Sequence, residues 1–174
     1  FLFATPARIE RFDLAQRTWL EPLALGGTVT AFTVDADGIY VSFARSTWRY
    51  ALDGSAKTFL LNSTGDVTTL LTDGAVLYLC QSGGQIASAN KTSGTALATK
   101  SYFYGMSGLS IARERNTIFA RSNSVSPSDI HRVDVDAARA LGNQTDIPDH
   151  ASYACARPPF VSPNEQVVAE NAGL

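Results

Sequence analysis

A short apolar run introduced by a turn signal returns four times along this chain, and that repetition restricts the fold more than any other feature. Asp37-Gly38 leads into residues 39–43, Asp73-Gly74 into 75–79, Arg115-Asn116 into 117–120, and Pro163-Asn164 into 165–169. The opening residues 1–4 look like the same run without its turn. Aligning Phe3, Tyr40, Tyr78, Phe119 and Val168 gives steps of 37, 38, 41 and 49 residues. A unit that recurs at such spacing cannot bury its apolar surface alone and stacks on its neighbours.

The remainder of each unit reads as three further strands. Upstream of the apolar run lie 29–34, 67–71, 109–112 and 152–156. Downstream lie 9–13, 48–52, 86–90 and 130–134, followed by 18–25, 57–61, 95–100 and roughly 140–147. The turns between them carry Gly, Asn, Asp and Ser, which accept the backbone angles of tight turns. Four strands in every forty or so residues predict an all-β fold of about four four-stranded β-propeller blades. The units fall near 1–28, 29–66, 67–108 and 109–151, with a partial one at 152–174. Segment 75–80 is apolar on both faces, as an inner strand sandwiched between stacked sheets must be. Segment 57–61 alternates more openly, as an outer strand would. The best helical candidate, 135–141, is too short to stand alone and reads as a loop.

Two connections break the rhythm. One, 121–129, contains Pro127; the other, between Cys155 and Val167, contains Pro158, Pro159 and Pro163. Proline supplies no ladder N–H, so both are expected to be loops or edges. Near four whole periods, the chain reads either as a closed four-bladed ring or, the favoured expectation, as part of a longer propeller. An open arc would expose blade edges that invite self-association.

The third and fourth strands of the units read RIERFDLAQRTWL, STWRYALDGSAKTFL, GQIASANKTSGTALAT and SDIHRVDVDAARALG. These segments resemble quinoprotein-like and YVTN-type propeller repeats, in which an acid closes a turn ahead of a docking aromatic. Asp13 with Trp19 and Asp53 with Phe59 match that pattern. Asn90 with Leu97 is a weaker copy, and Asp134 has no aromatic after it. The segments AFTVDADGIYVSF, GLSIARERNTIFARS and VSPSDIHRV are similar to the propeller portion of large bacterial secreted or surface proteins that carry immunoglobulin-like or cadherin-like modules. The resemblance implies an extracellular or cell-surface location and supplies no catalytic residues.

Charge and chemistry narrow the functional classes. Across 174 residues the net charge is −2, which gives no electrostatic reason to expect a nucleic-acid partner. No apolar stretch approaches the length of a spanning helix, so membrane insertion is not expected. Cys80 and Cys155 fall in different units and read as buried thiols rather than a disulfide. Asn62, Asn90 and Asn143 open glycosylation-type triplets. Asp35-Ala36-Asp37-Gly38 resembles the start of a calcium loop but lacks its later ligands, and reads as a turn. His131 and His150 have no partner at metal spacing, and there is no nucleophile elbow. No cofactor or metal is expected. The densest aromatic cluster, Tyr102, Phe103 and Tyr104, is the leading candidate for a ligand-stacking loop. The insertion carrying Ser126 and Asp129 is the second. The expected function is a non-catalytic module for adhesion, assembly or binding of a protein or glycan. A fragment of a quinone-dependent or hydrolytic propeller enzyme is the alternative, and a self-associating structural subunit is a third reading.

Overall fold

The structure, a computed structural model, describes residues 2–5, 7–102, 106–122, 129–146 and 159–169. Those residues form strands and turns only, and no helix among them is long and apolar enough to cross a membrane. The strands make five antiparallel sheets, each a meander in chain order. The first sheet holds β1 (Leu2–Thr5), β2 (Arg8–Asp13) and β3 (Thr18–Ala24). The second holds β4 (Ala31–Asp35), β5 (Gly38–Phe43), β6 (Ser46–Tyr50) and β7 (Lys57–Asn62). The third holds β8 (Val67–Asp73), β9 (Val76–Gln81), β10 (Gln85–Asn90) and β11 (Ala96–Ser101). The fourth holds β12 (Met106–Ala112), β13 (Thr117–Ser122), β14 (Ile130–Val135) and β15 (Leu141–Asp146). A short pair, β16 (Phe160–Val161) with β17 (Val168–Ala169), follows.

The sheets stack front to back. Side chains alternate between the faces of a strand. On β5, Ile39 and Val41 therefore join Ile9, Leu23 and Leu25 of the first sheet, while Tyr40 turns to Leu77 and Leu79 of the third. On β9 the alternation repeats: Leu77 and Leu79 face the second sheet, and Val76, Tyr78 and Cys80 pack with Met106, Ile118 and Ala120 of the fourth. Phe119 then looks outward to Val161 and Val168. Every residue of β9 and β13 is buried, which is why these runs could be apolar on both faces.

The turn acids do what the repeat suggests. Asp13 Oδ1 accepts hydrogen bonds from the N–H groups of Ala15 and Gln16 at 2.8 and 2.9 Å. Asp53 Oδ1 accepts from Ser55 N at 2.9 Å, and Asn90 Oδ1 from Thr92 N and Ser93 N at 3.0 and 2.9 Å. In the fourth sheet the turn is held by Asp136, which accepts from Ala140 N at 2.8 Å, and not by Asp134. Asp134 still lies on the strand, opposite Thr117, and its carboxylate accepts from Arg132 Nε at 2.8 Å. The aromatics of the outer strands dock edge-on: Trp19 on Phe12 at 5.0 Å and Phe59 on Trp48 at 5.1 Å.

Three boundaries differ from the sequence reading. β13 continues to Ser122, whose N–H donates to Asp129 O at 2.8 Å, so the insertion begins later than Arg121. Glu165 is not in a strand: its φ of 53° places it in the turn before β17. Phe160 and Val161, expected in a loop, supply the partner strand. The strand expected at 152–156 lies outside the described residues.

Candidate functional site

In a meander, the turns after the first and third strands share one end of the sheet, and the other connections share the opposite end. At the first end, neighbouring sheets are clasped by charge. Lys91, in the turn after β10, places Nζ 2.7 Å from Asp35 Oδ2 and 2.7 Å from Asp37 Oδ2 in the turn after β4. One sheet further on, Asp73 is buried and receives Arg113 Nε at 3.1 Å and Arg139 Nε at 3.0 Å. The Glu165 carboxylate then accepts from the N–H of Glu114 at 3.0 Å. Between the first two sheets, Arg11 Nη1 donates to the carbonyl of Asp53 at 3.1 Å. Both carboxylates of the calcium-like segment are thus engaged by Lys91, and Asp35 Oδ1 also accepts from Asp37 N at 2.8 Å to close the turn. Among the described residues no group of three or more His, Cys, Asp or Glu is arranged to hold a metal.

The Lys91 clasp is partly buried. Burial, the largest single influence, works against the charged form of Asp35, but the hydrogen bonds from Lys91 and the Asp37 N–H together with the Lys91 charge outweigh it and the carboxyl falls below 3.8. Burial likewise opposes the ammonium of Lys91, and the bonds to Asp35 and Asp37 carry it above 10.5. The Asp35 contribution is therefore present above pH 3.8 and lost as pH falls through its depressed value. The Lys91 contribution is present below pH 10.5 and lost as pH rises through its elevated value. Lys91→Met should lower stability by about 1–2 kcal/mol at pH 7. Urea midpoints at pH 3, 7 and 11 should show the gap from wild type narrowing at both extremes. An unchanged gap at all three would remove the electrostatic account.

Beside this clasp lies a cleft of about 570 Å³ lined by Asp37, Arg49, Leu52, Asp53, Ser55 and Thr58, among others. Arg49 Nη2 donates to Asp37 O at 2.7 Å, which ties one wall to the turn after β4. Both signs of charge and one exposed leucine meet in it.

The residues singled out from sequence belong to the opposite end. Tyr102 follows β11 and Asp129 precedes β14, so the topology brings both connections to that end. Tyr102 is half-buried against the core between the third and fourth sheets, and its hydroxyl donates to Gly142 O at 3.3 Å. Burial pushes that hydroxyl up to about 12. Its ring holds β11 to β15. Asp129 is buried, and its N–H donates to Ser122 Oγ at 2.7 Å. Phe103, Tyr104 and Ser126 lie outside the described residues, as do Cys155 and His150. His131 is a buried strand residue, and Cys80 is a buried free thiol donating to Met106 O at 3.1 Å, its pKa raised by burial to about 11.

Solved structures of similar shape place this architecture. Kuenenia stuttgartiensis hydrazine synthase superposes with a TM-score of 0.73 over 93% of this chain and 48% of that one, at 15% identity. The nidogen/laminin complex gives 0.64 over 83% of this chain and 59% of that one, at 18% identity. The WD40 repeats of RRP9 give 0.65 over 82% and 48%, at 13% identity. The chain has the β-propeller fold. The described sheets are propeller blades, about four in number. The chain spans about half the length of these propeller chains. No protein-family model and no curated protein sequence matches it.

Proposed function

We propose that this chain is a non-catalytic binding and scaffold module whose blades present outer strands and turns to a protein partner. The observation that carries this reading is the distribution of large apolar side chains. Trp19, Leu52, Phe59 and Leu97 stand exposed on the outer strands and the turns leading to them, while every residue of β9 and β13 is buried. Rigid aromatic rings pinned edge-on at a surface lose little entropy on binding and are the residues that dominate protein interfaces. The cleft lined by Arg49, Asp53 and Leu52 adds polar groups that can fix orientation. A neighbour of the same fold was solved as a nidogen/laminin complex, which supports a protein rather than a glycan partner. Residence in a secreted or cell-surface bacterial protein rests on the resemblance of the repeat segments, and surface labelling of the producing cells would test it.

Panning a displayed random-peptide library against the folded protein tests the binding role. Peptides that bind in the micromolar range and lose at least about tenfold in affinity to Trp19→Ser or Phe59→Ser would support it. Enrichment of no sequence, or peptides indifferent to both substitutions, would count against it. Saturable glycan binding with no peptide binding would reassign the ligand class.

A further inference from the structure

On the front face of the second blade, three aromatic rings surround one ammonium. Lys57 Nζ lies 4.3 Å from the ring centre of Trp48, 5.4 Å from Tyr50 and 5.7 Å from Phe43. The sheet builds this arrangement directly. Phe43 ends β5, Trp48 and Tyr50 stand two apart on β6, and Lys57 sits on β7 opposite Tyr50 in register. Phe59, opposite Trp48, meets the indole edge-on at 5.1 Å and fixes its plane.

Three properties distinguish this cluster from a lysine lying across an aromatic surface. Among the described residues Lys57 pairs with no carboxylate, so its charge is met by ring faces and solvent. The wall is pre-formed, because Tyr50 is buried and Trp48 and Phe43 are half-buried in the seam with the first blade. The chain beside it is bare: Gly26 and Gly27 pass so near that a Cβ at Gly26 would stand 3.8 Å from Lys57 Nζ, and one at Gly27 3.4 Å from Phe43. The Tyr50 hydroxyl is buried and has no hydrogen-bond partner among the described residues, leaving a donor unused on a wall of the cage.

The geometry points to an aromatic cage for a trimethylammonium group, with Lys57 as its displaceable internal occupant. A cation held at an exposed site by ring faces gains little. A primary ammonium also keeps a strong claim on water. Three methyl groups weaken that hydration, and they spread the charge over a surface that fits against rings. A trimethylammonium guest therefore enters such a cage at lower desolvation cost than Lys57, whose four-carbon stem can swing its head into solvent. The same chemistry is offered by a free choline-type molecule and by a trimethylated lysine side chain. The cage shares Phe59 with the protein-binding surface proposed above, but its test reads cation binding alone, so either can fail without the other.

Trp19→Phe leaves Trp48 as the single tryptophan, since the chain has two. Its emission, followed during titration with tetramethylammonium, choline and free trimethyllysine, should change saturably. The uncharged isostere 3,3-dimethylbutanol should give no saturable change. Lys57→Gln in the same background should tighten the apparent affinity about tenfold by removing the competitor. Tighter binding of choline would assign a small-molecule ligand, and tighter binding of trimethyllysine a modified side chain; either supports the cage. In the wild type, the Lys57 ε-methylene protons should resonate upfield under the rings and move to ordinary values as tetramethylammonium saturates. Absence of saturation by every cation in both proteins would overturn the proposal. So would equal binding of the neutral isostere, or Lys57 resonances that stay upfield at saturation. The proton measurement needs no substitution and decides the matter even where Lys57→Gln fails to fold.

Discussion

Gly94→Ala should lower the melting temperature by about 6–12 °C, from a loss of about 3 kcal/mol. Two costs meet at this position. Gly94 has a φ of 72°, a left-handed conformation that an L side chain adopts at a penalty of about 1–2 kcal/mol. Its missing Cβ would also fall 2.1 Å from the carbonyl oxygen of Leu60 and 2.6 Å from its carbon. Those atoms are backbone of the neighbouring blade and cannot rotate aside as a side-chain tip can. The turn cannot retreat either, because Gly94 N donates to Asn90 O at 2.8 Å and Asn90 itself caps the turn. Gly74 provides the control. Its φ is 56°, and a Cβ there would meet nothing within 4 Å. Gly74→Ala should cost only the conformational part, about 1 kcal/mol. Equal losses in the two variants, measured by thermal or urea unfolding, would mean that the approach of Gly94 to Leu60 carries no weight.

Leu77→Ala should cost about 2–5 kcal/mol. Leu77 is fully buried between the second and third blades, among Tyr40, Leu60, Val67 and Leu79. Truncating it removes apolar contacts from both blades, and the pleated walls cannot close over the space without shifting the strand ladders. In a stacked array each unit is stabilised chiefly by its neighbours, so damage at one seam weakens the cooperation of the blades on either side. Leu97→Ala is the matching surface substitution. Leu97 is 55% exposed on an outer strand, and the change should stay within about 0.5 kcal/mol. A Leu77→Ala protein that unfolds like Leu97→Ala would contradict the seam as the main source of stability.

What could be read from sequence follows from which interactions are local. The inner strands were legible because burial on both faces makes their centres apolar, and because Asp-Gly signals mark the turns into β5 and β9. The capped turns at Asp13, Asp53 and Asn90 were legible too, since each acceptor binds N–H groups two or three residues on. Asp134 lies two positions short of the turn acid, and only the strand register, which pairs it with Thr117, leaves the turn to Asp136. The clasps had no local signature: Lys91 and Asp35 are 56 residues apart, and Arg113 and Asp73 are 40 apart. Lys57 read simply as the polar start of an outer strand, and only its register opposite Tyr50 reveals the rings around it. Tyr102 read as an exposed ring because it borders a loop, but the packing of the third blade on the fourth draws it inward.

The side-chain caps of the turns ahead of β3, β7 and β11 have a bearing on how such a protein could be altered. Asp13, Asp53 and Asn90 each shape their turn through bonds made inside it. Their local form is written within a few residues, while Lys91 beside Asn90 and the carbonyl of Asp53 also reach the neighbouring blade. A turn exchanged between blades, cap included, would keep its shape and lose its clasp, which separates how a turn is formed from how blades are held together.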